Sequence, residues 1–258
     1  MTRALRELLA YREILLILTW RDLKARYRGS VLGFLWTFLN PLLLMIIYSL
    51  VFSLYLRMEV RAYPIFLFTG LLPWIWFSSA MLGGATSIVD SGSLIKRVPF
   101  PPQILPAVSV TATLVNFLLA LPLLLAFMVA WGFPLGWSLL TLPLPIAIQY
   151  VFTLGLTIVL SMVTVRYRDL QQILGNLLTL WFFLTPVLYP TTMVPAQFQG
   201  VLMLNPMAIL VGAFQDALYG SQVPPLRQLA VVAGLATVIL GVALALVNRL
   251  RWGLAEEV

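Results

Sequence analysis

The chain has 258 residues, of which 61% are hydrophobic and only 10% charged; ordinary soluble domains carry about 25% charged residues, so an integral membrane protein is expected. It contains no Cys and no His, which excludes disulfides, thiol chemistry, imidazole acid–base catalysis and nearly all zinc sites. The net charge of +7 gathers at the ends of apolar runs, as membrane orientation demands, and not along one soluble face, so no nucleic-acid partner is expected.

Residues 3–28, RALRELLAYREILLILTWRDLKARYR, come first. Arg6, Glu7, Arg12 and Glu13 interrupt any apolar core and no small-residue cleavage site follows, so a cleavable signal peptide is not expected. Leu5, Leu8, Leu9, Leu15, Leu16 and Leu23 share much of one helical stripe, with Arg3, Arg6, Arg12 and Arg21 mainly elsewhere. With Trp20 and the basic tail Arg21, Lys24, Arg26 and Arg28, the segment reads as an amphipathic helix lying in the membrane surface. The plainer alternative is a positive flank of the span that follows.

Six apolar runs then approach or exceed the roughly 20 residues needed to cross a bilayer. The first is 31–56, with Asn40-Pro41 expected to bend it. The second is 64–89, with Trp74 and Trp76 too deep for an interfacial belt and therefore expected to face other helices. The third is 104–131, the fourth 139–165, the fifth 170–188 and the sixth 229–247. The third and fourth are joined by the uncharged loop GFPLG between Trp131 and Trp137, as an interfacial belt would be.

Between the second and third runs lies DSGSLIKRVPFPPQILPA, residues 90–107, which carries Asp90, Lys96 and Arg97 among four prolines. Prolines fix φ and disfavour helix in the residue before them. The loop is therefore either a rigid knob that loses little freedom when a partner grips it, or punctuation that ends one helix and starts the next.

Residues 194–219 are apolar enough for a further span, but Asn205-Pro206 breaks them and Asp216 charges them. Charge counting decides. With six spans, thirteen of the 16 Lys and Arg residues fall on one side, and a seventh crossing would move Arg249 and Arg251 to the other. The positive-inside rule then predicts both termini in the cytoplasm. Residues 194–219 become two short helices dipping into the outer leaflet, where non-helical backbone must be covered by protein or water. The expectation is a single all-α membrane domain over 1–258: six transmembrane helices, an N-terminal interfacial helix and two re-entrant outer helices.

No Lys, Arg, Asp or Glu lies inside any of the six spans. Gradient-driven transporters bury such residues on their ion path. Asn40, Asn116, Gln149 and Asn176 are the large polar groups at membrane depth, suited either to interhelical hydrogen bonds or to a polar path. No GxxxxGK[ST] phosphate loop is present, no carboxylate pair suggests catalysis, and no metal site is expected. Uphill transport would need energy from a partner. The aromatics of the first and fifth runs, Phe34, Trp36, Phe38 and Tyr48 with Trp181, Phe182, Phe183 and Tyr189, suit either sugar rings or helix packing.

Three segments carry a resemblance: WRDLKARYRGSVLGFLWTFLNPLLLMIIYSLVF (20–52), LIKRVPFPPQILPAVSV (94–110), and VRYRDLQQILGNLLTLWFFLTPVLYPTTMVP (165–195) followed by LNPMAILVGAFQDALYG (204–220). In this order and spacing the chain resembles the transmembrane permease of type-2 ABC exporters, in the branch that exports O-antigen, capsule and teichoic acid. The resemblance implies a homodimer in the bacterial inner membrane, with an ATPase subunit under each copy. ATP and Mg would then sit on that partner, and this chain would need no cofactor. It implies ATPase contact through 3–28 and 90–103, here Asp90, Leu94, Lys96, Arg97, Val98 and Phe100. It implies a channel lined by Phe34, Trp36, Phe38, Trp181, Phe182 and Phe183, and an outer gate at Tyr189, Asn205 and Pro206. The implied cargo is a polysaccharide on undecaprenyl diphosphate, which Arg26 and Arg28 would meet; lipid headgroup anchoring suits these two arginines equally well. A drug or lipid exporter of the same family, and a membrane enzyme acting on lipid-linked sugars, are the alternatives.

Overall fold

A computed structural model describes residues 3–92, 94 and 100–257, with side chains at 6–26, 28–92, 94 and 100–249. Among these there is no β-strand. The helices in chain order are α1 (Arg3–Ala10), α2 (Arg12–Tyr27), α3 (Trp36–Ser49), α4 (Tyr63–Asp90), α5 (Ile104–Ala130), α6 (Pro143–Arg166), α7 (Leu170–Leu184), α8 (Ala196–Leu204), α9 (Pro206–Leu218) and α10 (Leu226–Glu257). A 3₁₀ turn, Gly33–Leu35, leads into α3, and π-helical turns, Leu50–Tyr55, extend it.

Five helical stretches are long and apolar enough to cross a bilayer: Gly33–Tyr55, Tyr63–Asp90, Ile104–Ala130, Trp137–Arg166 and Leu226–Arg249. The protein is therefore an all-α, multi-pass membrane protein. The fifth apolar run yields only α7, whose 15 residues rise about 22 Å at 1.5 Å each. The chain leaves the helix at Thr185, and Tyr63 and Gln215 pin the segment beyond it. The Tyr63 hydroxyl donates to the Leu188 carbonyl at 2.7 Å and Gln215 Nε2 to the Pro186 carbonyl at 3.0 Å.

The core forms around α4, which packs against α3, α5, α6, α7 and α9. Its apolar residues cover all sides of the helix, which suits burial; 78% of its most apolar window is buried, against 11% for the α3 stretch. Trp74 and Trp76 lie inside, as their depth predicts. α3 runs through Pro41 without interruption and is the least buried of the long helical stretches. The most extensive pairing is α6 with α10. Gly155 permits it, because a Cβ there would stand 2.8 Å from the Leu240 backbone nitrogen, the close approach that small residues allow between membrane helices.

Residues 3–28 form two helices, kinked at Tyr11, where one was expected. The backbone hydrogen bonds Tyr11 to Glu7 and Leu15 to Tyr11 carry the chain through the kink. α2 packs against α5 and α1 against α10, and Leu18 and Leu23 are buried. This end of the bundle has its own small core, in which Leu18, Ile88, Phe100, Ile104, Met162 and Val247 meet.

Candidate functional site

Three regions hold the residues singled out above, one at each end of the bundle and one in the groove between them. At the end that carries α1 and α2, α4 stops at Asp90, which is exposed, and Leu94 is half-buried. Phe100 is buried in the small core, anchoring the loop as it enters α5. Lys96, Arg97 and Val98 lie outside the described residues. The base of this loop is tied to α1, since Gln103 Nε2 donates to Glu7 Oε2 at 3.0 Å.

Arg26 pairs with Asp22 at 3.0 Å, an i,i+4 pair on α2. It also stands at the rim of a cavity of about 470 Å³ that Trp36, Asn40, Trp76 and Asn116 help to line. Arg28 is exposed and not among the lining residues, so the two arginines have different surroundings. Of the polar groups at membrane depth, Gln149 makes an interhelical bond, donating to the Pro73 carbonyl of α4 at 2.8 Å. Asn176 faces outward from α7.

Between α3 and α7 runs a groove of about 280 Å³ whose floor is α4. Tyr48, Trp74, Ser78, Thr179, Phe182 and Phe183 help to line it. Aromatic rings knit its floor: Tyr48 to Phe182 at 5.8 Å, Phe182 to Trp74 at 5.5 Å, and Phe77 to Trp181 at 5.2 Å. Phe182 is buried, while Phe34, Trp36 and Phe183 are exposed and Phe38 is half-buried against Phe34. The outward surface of α3 and α7 is largely apolar, with Leu43, Ile47, Leu50, Ile173, Leu177 and Leu180 exposed, and Asn176 stands among them as a polar group. Sequence reading missed Ser78 and Thr179, which line the groove and donate their hydroxyls to the Ile75 and Gly175 carbonyls of their own helices. Their signal, one small polar residue in an apolar run, is too common to single them out.

At the opposite end, α8 and α9 meet at 100°. The break is at Asn205-Pro206, for local reasons: Asn is a preferred N-cap and Pro suits the first helical position. Asn205 Oδ1 accepts from the Met207 and Ala208 amides at 3.0 and 3.3 Å and from Trp181 Nε1 at 2.8 Å. Its Nδ2 donates to Thr185 Oγ1 at 3.1 Å and the Leu184 carbonyl at 3.3 Å. One side chain thus caps α9 and fastens it to the end of α7. The Tyr189 hydroxyl donates to the Phe183 carbonyl at 2.9 Å. α9 is deeply buried against α4, with Leu210, Val211 and Phe214 sealed from solvent.

The groove between α3 and α7 offers aromatic faces with a few polar groups, and Asn205 fastens the broken hairpin to the α7 wall of that groove. Known proteins agree with a transport role. The chain is 45% identical, over the whole of both chains, to an O-antigen export system permease protein, RfbA, of Myxococcus xanthus. A protein of the same name from Klebsiella pneumoniae is 32% identical over 95% of this chain and 94% of its own. The polysialic acid transport protein KpsM of Escherichia coli is 25% identical over 87% and 89% of the two chains. The family model described as ABC-2 type transporter matches residues 13–219, and the chain belongs to that family.

Proposed function

We propose that the protein is the membrane-spanning subunit of an ATP-driven exporter that moves a lipid-linked, O-antigen-like polysaccharide across the bacterial inner membrane. The observation that carries this reading is the end-to-end match, at 45% identity, to an O-antigen export permease. The uncharged spans and the absence of a phosphate-binding loop support an external source of energy. In this reading two copies associate through the apolar faces of α3 and α7, and the grooves beside those helices open onto a shared path. Phe34, Trp36, Phe38, Trp181 and Phe183 line that path, while Phe182 supports it from behind. Both termini are cytoplasmic, as the distribution of Lys and Arg favours, and α8 and α9 form a re-entrant outer gate hinged at Asn205 and Pro206.

Two ATPase subunits, which hold ATP and Mg, dock under α1, α2 and residues 90–103, and Lys96, Arg97 and Val98 belong to that contact. Arg26, at the rim of the Trp36–Asn40–Asn116 cavity, meets the diphosphate of the undecaprenyl carrier, assisted by Arg28. The test is deletion in the host, with complementation. Surface polysaccharide should disappear and lipid-linked polymer accumulate inside, without a change in drug sensitivity. Unchanged surface polymer would overturn the reading. So would cargo movement by this chain alone in sealed vesicles, without a nucleotide-hydrolysing partner.

A further inference from the structure

We infer that the end of the bundle opposite α1 and α2 carries a binding subsite for neutral, hydroxyl-rich sugar residues. It is a polar cavity between α8, α9, the Thr191–Met193 turn and the start of α10. The inference rests on the exporter reading and adds to it a place where emerging polymer is held.

The cavity measures about 330 Å³, at the low end of small-ligand sites, which span roughly 300–1,000 Å³. Its polar lining comes from Asp216 and Gln215 on α9, Gln199 on α8, Gln228 on α10, and Thr191 and Thr192 on the turn. Met203 and Ile209 supply apolar wall. Asp216 is half-buried, and among the described residues no hydrogen bond or ion pair engages its carboxylate. Gln199 spends its amide nitrogen on the Val194 carbonyl at 3.3 Å, which leaves its oxygen as an acceptor.

The chemistry of the lining narrows the ligand. No Lys or Arg lines the cavity, so it does not suit an anion. It has a single carboxylate, and among the described residues no group of three or more His, Cys, Asp or Glu could hold a metal ion. What remains is a carboxylate that accepts from paired hydroxyls, amides and hydroxyls that both donate and accept, and an apolar wall for C–H faces. That set matches a sugar ring.

Gly212 also lies on α9 in the cavity lining, and a Cβ built there meets nothing within 4 Å, so a large side chain at this position would extend into the open space of the cavity. Because the walls come from both arms of the 100° hairpin, a bound sugar favours the hinge angle that fits it. Occupancy would hold emerged polymer on the far side of the membrane and oppose slippage back.

The test uses the purified complex of permease and ATPase in lipid nanodiscs. The probe is oligosaccharide released by mild acid from the host's own surface polysaccharide, with dextran fragments of similar length as a comparison. Wild type should bind the host oligosaccharide. Gly212→Leu, which fills the cavity, and Asp216→Asn should each weaken binding by about tenfold or more, the scale of a lost charge-assisted hydrogen bond. Gln197→Ala, on α8 beside Gln199 but outside the lining, should not. Co-purification with the ATPase shows that the variants fold. Binding that is absent in wild type, or unaltered in both variants, overturns the subsite and leaves the exporter reading standing if gene deletion still strips the surface polymer. If deletion leaves that polymer intact, the exporter reading fails and the subsite falls with it.

Discussion

Gln103 Nε2 donates to Glu7 Oε2 at 3.0 Å, joining the foot of α5 to α1 across 96 residues of sequence. Gln103 is only 1% exposed while Glu7 is half-buried, so the bond is partly shielded from water and ties α1 to the loop that ends at Pro102. Gln103→Leu removes this donor from the half-buried Glu7 carboxylate and should cost about 0.5–1.5 kcal/mol, the net worth of one hydrogen bond. Glu7→Gln keeps an acceptor and should cost less. The check is the thermal midpoint of the detergent-purified protein together with ATPase-coupled export. Equal midpoints for Gln103→Leu and wild type would show that the bond adds nothing.

A second prediction concerns the brace between α7 and α9. Asn205→Ala removes an N-cap, which costs about 0.5–2 kcal/mol, and strands the Trp181 indole N–H, a further loss of about 1–3 kcal/mol. Asn205→Asp keeps an acceptor for the α9 amides and for Trp181, but loses the donor to Thr185 and Leu184. Hydrogen exchange should therefore rise across 196–210 in the order wild type, Asn205→Asp, Asn205→Ala. A rise confined to residues outside that stretch would count against the brace.

What could be read ahead of the coordinates follows from how local each signal is. The break at Asn205-Pro206 was legible because capping and proline preferences act within a few residues. The inward direction of Trp74 and Trp76 followed from their depth. The direction of Phe182 did not, because Trp181, Phe182 and Phe183 are consecutive and spread around α7, so only the neighbours Trp74 and Tyr48 decide which ring is buried. The leucine stripe of residues 3–28 divides in the structure: Leu23 is buried against the protein, while Leu9 and Leu16 are exposed. A stripe of leucines has the same pattern whether lipid or α5 covers it. The polar cavity at the far end was invisible for a different reason: Gln199, Asp216 and Gln228 sit on three helices, α8, α9 and α10, and only the tertiary fold brings them together.

The loop after α4 gives a third prediction. Replacing Lys96 and Arg97 together with Glu reverses charge at the proposed ATPase contact, where like-charge contacts suppress binding and opposite charges steer it. Co-purification of the ATPase should fall at moderate salt, while the amount of permease in the membrane stays unchanged. Retained co-purification with normal export would remove these two residues from the contact.

The last prediction addresses the proposed pairing of two copies. The chain has no native cysteine, so single cysteines can be introduced without background. Ile47 on α3 and Leu177 on α7 are 54% and 51% exposed, and Val238 on α10 is 63% exposed. Exposure alone therefore does not distinguish the three positions. If α3 and α7 face the second copy, Ile47→Cys or Leu177→Cys should form a disulfide-linked dimer under mild oxidation in native membranes. Val238→Cys should remain monomeric, because its face of α10 is left to lipid. Such a bond requires Cα atoms within about 7 Å, so neighbouring positions on each helix should be scanned with the same readout. Cross-linking confined to Val238→Cys would place the partner on the wrong side of the bundle and overturn the shared path between α3 and α7.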